Sequence, residues 1–139
     1  SSHFRRAIET SQIIADFFGT KVIVKECLGE WKIQELNLPF EEYEKLEKAA
    51  INDLNLVVKG GESLNMAGES MYSCVKDICN EYKDFGTIII VSHGNVLYHL
   101  FKTFSKEKPE FNPKKEKIEF LGFGIVEYSN GRFKDHQDQ

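Results

Sequence analysis

Four branched apolar residues, Ile88, Ile89, Ile90 and Val91, run straight into Ser92, His93 and Gly94 in the stretch TIIIVSHGN. Such a run reads as a strand with no polar face, and the segment behind it, NVLYHLFKTF, has the three-to-four apolar spacing of a helix. His93 therefore stands on a tight turn from buried strand to helix, where free N–H groups and the positive end of the helix dipole favour an anion. A lone histidine at a strand end is most often a structural cap. Followed by glycine at a helix start, it suits phosphate: an imidazolium adds charge and a donor, and Gly94 lets the backbone approach closely.

Three further groups bear on the same chemistry. In SSHFRRAIET, Arg5 and Arg6 fall in the first turn of a helix, where cations oppose the dipole. Solvent is the ordinary destination of Arg5; Arg6, beside Ala7 on the apolar side, is as well suited to an anion. Glu30, in LGEW, follows a short β-branched segment and so stands near the end of another strand. Gly61, Glu62 and Ser63 open a further helix, a role that an N-cap alone would explain.

The elements that must hold these groups alternate. A helix from Arg6 to Phe18 places Ala7, Ile14, Phe17 and Phe18 within reach of one face, with Gly19 as its C-cap. KVIVKE, residues 21–26, reads as a strand. A second helix follows Pro39 with Phe40, Tyr43, Leu46, Ala50 and Leu54 in register, and a third runs from about Leu64 to Tyr82. Past Pro109 and Pro113, the alternation of KIEFLGFGIVEYSNGRFKD and its Asn130-Gly131 pair predict a closing β-hairpin. Strands alternating with helices predict an α/β sandwich, with ligands beyond the C-terminal ends of the parallel strands, where His93 lies.

Length and composition fit one soluble domain spanning residues 1–139: 41% hydrophobic and 29% charged residues, with no window approaching a membrane span and no apolar signal core at the start. A net charge of -4 speaks against a nucleic-acid partner, and the basic run at 114–117 reads as a solvated loop. Cys27, Cys74 and Cys79 show no metal or redox spacing, which predicts buried reduced thiols and a cytoplasmic protein.

In order and spacing, these segments resemble the histidine phosphatase superfamily, the phosphoglycerate mutase-like group. Ser2, Arg6, Ala7 and Thr10 match its S-x-x-x-R-A-x-x-T helix start, Leu28-Gly29-Glu30 its L-x-E element, GGES its G-E-S element, and IIIVSHGNVLYHLF its second-histidine strand and helix. The resemblance covers nearly the whole chain. It implies a three-layer α/β/α sandwich, no metal or other cofactor, and a small phosphorylated molecule or inorganic phosphate as ligand. By position, Arg6 would clamp the phosphoryl group, His93 and Gly94 would hold its oxygens, and Glu30 would protonate the leaving oxygen, while a phosphohistidine splits the reaction in two.

The chain departs from that pattern at the R-H-G motif, which would carry the nucleophilic histidine at the end of the first central strand. No histidine here follows an arginine and precedes a glycine; His3 is the nearest substitute, and His99 and His136 lie elsewhere. The G-x-W-E-G continuation is also replaced, by EWKIQELN. Loss of that strand would leave unpaired edges and a cleft. It calls for direct pairing of its neighbours, a second chain such as a homodimer partner, or an upstream segment; the last two are favoured. Two functions follow: a phosphatase of small phosphomonoesters lacking its nucleophile in these residues, or a non-catalytic phosphate-binding or interaction module. Mutase action is disfavoured for want of an extra insertion or basic set, and a serine hydrolase for want of a G-x-S-x-G elbow. The segment 31–59 is expected to cover the site as a lid.

Overall fold

The computed structural model describes residues 1–33, 37–58, 60–107 and 122–135. The loop with Pro109 and Pro113, the basic run at 114–117 and the first part of the predicted ribbon lie outside them. Among the described residues the fold is mixed α/β, with four helices, α1 (Arg5–Phe18), α2 (Phe40–Asn52), α3 (Leu64–Glu81) and α4 (Gly94–Glu107), and two strands, β1 (Val126–Ser129) and β2 (Arg132–Asp135).

The core is built on α3. Its buried residues Leu64, Ala67, Gly68, Met71, Cys74, Val75 and Ile78 recur at three and four, the spacing that keeps one face inward. Ser63 caps its N-terminus by accepting from the Met66 amide at 3.1 Å. Against this face pack Val96, Leu100 and Phe104 of α4, with Leu28, Trp31, Ile33 and Ala50 completing the cluster. The two helices approach closely because Gly68 has no side chain: a Cβ there would stand 2.8 Å from the His99 carbonyl oxygen. β1 and β2 form the predicted antiparallel hairpin, Asn130 and Gly131 both adopting positive φ in the turn, and Phe133 enters the core.

Three expectations are corrected. Residues 21–25 and 87–91, expected as paired strands, belong to no ladder among the described residues, and 26–28 close into a 3-10 turn. The reason is a lack of neighbours: Val22, Val24, Ile88, Ile89 and Ile90 enter no backbone hydrogen bond there. The buried stripe of α1 is Ala7, Ser11 and Ala15, while Phe17 and Phe18 are exposed. Gly19 nonetheless ends the helix in the left-handed conformation foreseen for it. Finally, Cys27 and Cys74 are joined in a disulfide across a separation of 47 residues, leaving Cys79 as the free thiol. Spacing could not reveal this pairing, since only the packing of the 26–28 turn on α3 brings the two together.

Candidate phosphate site

His93 ends the extended run 87–93 and lies immediately ahead of α4. It is 6% exposed, and its Nε2 meets Ser2 Oγ at 2.8 Å. Ser2 is fully buried; its amide donates to the Val91 carbonyl and its hydroxyl oxygen accepts from the Phe4 amide. The serine thus ties the entry to α1 onto the extended segment that carries the histidine. Phe4 stands edge-on to the His93 ring at 5.0 Å.

Burial, with the nearby Arg6 and His3 adding to it, lowers the His93 pKa to about 4. The ring is therefore neutral near pH 7, which corrects the expectation of an imidazolium. Cationic character at the site comes instead from Arg6, whose guanidinium lies 4.7 Å from the Phe4 ring centroid and acts electrostatically on both His93 and Glu30. Arg5 turns to solvent and pairs with Glu9 one turn on, the ordinary fate foreseen for it.

Glu30 is buried beside the same helix start. Its Oε1 accepts from the Trp31 amide at 2.9 Å and from the Val96 amide, in the first turn of α4, at 3.2 Å. Desolvation raises its pKa, opposed by those amides, by Arg6 and by the Asn95 amide. The helix N-terminus expected to take a ligand anion thus already holds a carboxylate. Glu62 is also buried: its carbonyl accepts from Trp31 Nε1 at 2.7 Å and its carboxylate from the Lys32 amide at 3.3 Å. Gly94 is exposed at the start of α4, leaving that side of the turn open.

Arg6, Glu30 and His93 are therefore brought together from three separate stretches of chain. Ser2 was missed as a site residue, although it stands in the S-x-x-x-R-A match; a small hydroxyl in a helix-entry motif was the available signal. The 31–59 segment is more than a loose cover, since Trp31, Ile33 and Ala50 are in the core. α2 does reach the site, where Asn95 Nδ2 approaches Glu47 Oε1 at 3.4 Å. His3 packs against Gly29 and stands 4.6 Å from Phe4, at the rim. Among the described residues no three His, Cys, Asp or Glu side chains group as a metal would require.

His93 and Glu30 thus lie buried beside the start of α4, both within the electrostatic reach of Arg6. The profile of the histidine phosphatase superfamily (branch 1) matches residues 1–136. The chain belongs to that superfamily. No curated protein and no solved structure matches it.

Proposed function

We propose that the protein is a phosphatase of small phosphomonoesters working through a phosphohistidine, and that these 139 residues hold the phosphate-binding half of its site without the nucleophile. The observation that carries the reading is the convergence of Arg6, Glu30 and His93 at the start of α4. In this reading Arg6 supplies the positive charge on the phosphoryl oxygens, and neutral His93 supplies a ring donor. Glu30, with its pKa raised by desolvation, holds a proton more readily than an exposed carboxyl and suits protonation of a leaving alkoxide. The three-layer sandwich, with its first central strand outside this chain, is part of the same proposal, as are a single domain and the homodimer as the assembly it allows. Cytoplasmic placement rests on composition alone, and the Cys27–Cys74 disulfide weighs against it.

The chain is expected not to hydrolyse p-nitrophenyl phosphate, and to bind vanadate or phosphate saturably, seen through the fluorescence of buried Trp31 next to Glu30. Arg6→Ala should remove that binding. Hydrolysis by this chain, abolished in His93→Ala, would overturn its inactivity; no Arg6-dependent signal would overturn phosphate binding.

The second reading is a non-catalytic phosphate-binding or interaction module that keeps Arg6 and His93 for binding, favoured by Glu30 Oε1 being engaged by the Trp31 and Val96 amides, a structural role that needs no acid catalysis. A serine nucleophile at Ser2 is disfavoured even though its Oγ touches His93 Nε2, because the hydroxyl is sealed from solvent.

A further inference from the structure

Glu47 of α2 is a carboxylate to which the chemistry of the site gives no task. It is half-buried, and its Oε1 accepts from the Tyr43 hydroxyl at 3.2 Å and from Asn95 Nδ2 at 3.4 Å. The first bond ties it one turn back along α2, and the second ties it to the second residue of α4. Both fall on one oxygen. Among the described residues no cation forms an ion pair with this carboxylate, and its neighbour Lys48 turns instead to Glu44 at 3.1 Å. A phenol and an amide therefore hold the charge in place without neutralising it.

Where the charge is held gives it a consequence. Asn95 and Val96 share the first turn of α4, and the Val96 amide already engages Glu30, so two carboxylates reach one helix start from different stretches of chain. Ser2 and His93 close the inner side of this place, while Gly94 is exposed. The organic part of an ester bound there extends on the open side, past Gly94 and its neighbour Asn95, and so meets Glu47. A phosphomonoester brings up to about two negative charges of its own to Arg6. A further anion on its organic part would face Glu47 uncompensated, whereas an ammonium group would find a fixed counter-charge.

We infer that Glu47 is a specificity-determining residue, selecting phosphomonoesters that carry an ammonium group on their organic part and rejecting those that carry a second anion. The inference rests on the phosphate reading of the site. Tyr43 and Asn95 orient the carboxylate and act through it.

The test uses three esters that share the phosphate and a two-carbon organic part: ethyl phosphate, 2-aminoethyl phosphate and carboxymethyl phosphate. Each is competed against vanadate at low ionic strength, with Trp31 fluorescence as the signal. The aminoethyl ester is expected to bind about fivefold more tightly than the ethyl ester, and the carboxymethyl ester about fivefold more weakly, both differences shrinking in high salt. Glu47→Gln keeps an oxygen for Tyr43 and Asn95 and removes only the charge, so the three affinities should fall within about twofold of one another. Glu47→Lys should reverse the order, a result that loss of folding could not produce. Glu42→Gln removes the same charge from an exposed position on the same helix and should keep the original order.

Equal affinities in the unaltered protein, or an order that survives Glu47→Gln, would overturn the inference while a vanadate signal leaves the phosphate site standing. An order lost equally in Glu42→Gln would also overturn it, since the net charge of α2 would then be the cause. Absence of any Arg6-dependent vanadate signal would remove the phosphate site itself, and this inference with it.

Discussion

At the scale of single residues, the buried histidine sets a pH dependence. The imidazole titrates near 6.5 when unfolded and near 4 when folded, so between these values the unfolded chain carries a proton that the native one lacks. The contribution of His93 to stability is complete above pH 6.5 and is lost as pH falls toward 4, by roughly 3 kcal/mol at most. Glu30 has the opposite sign: its raised pKa favours the folded state at low pH, an advantage lost as pH rises through its folded value. Chemical denaturation across pH 4–7 should therefore show a steeper acid loss in Glu30→Gln and a shallower one in His93→Asn. Ser2→Ala leaves His93 Nε2 without its hydroxyl partner and should cost about 1–3 kcal/mol in the same measurement. That His93, Arg6 and Glu30 would lie near one another was legible from the order of the short motifs that carry them. The neutrality of His93 was not, since it follows from Ser2, Phe4 and Arg6 closing over the ring from a stretch 91 positions away.

At the scale of elements, the close packing of α3 on α4 depends on one missing side chain. Gly68→Ala would improve helix propensity by about 1 kcal/mol, yet its Cβ would stand 2.8 Å from a backbone oxygen that cannot swing aside. Separation of the helices should win, with a net loss of about 1–3 kcal/mol and a lower melting temperature. Helices were the most legible elements: apolar spacing gave α1, α2, α3 and α4 to within about three residues at either end because each buries a stripe against a neighbour. The apolar runs at 21–25 and 87–91 were read as strands for the same reason. Pairing, however, belongs to two segments at once, and no inspection of one segment reveals whether its partner is at hand.

At the scale of the whole molecule, the disulfide fastens the 26–28 turn, and Glu30 just beyond it, to the middle of α3. Under non-reducing denaturing conditions one thiol per chain, Cys79, should react with a thiol reagent, rising to three after reduction. Closing a loop of this length is worth about 4 kcal/mol by the chain-entropy relation, so the reduced protein should melt at a clearly lower temperature. Three reactive thiols without reduction would restore the expectation of free cysteines. The family was legible from the order of its short motifs, each anchored to a helix start or strand end, and those are the parts a sequence records locally. Ser1 and Ser2, the least informative letters of the opening helix motif, turned out to join two extended segments, largely through their backbone. That has a bearing on which substitutions this junction tolerates: a proline at position 2 removes the amide that donates to the Val91 carbonyl and unfastens the segment leading to His93 without touching the imidazole.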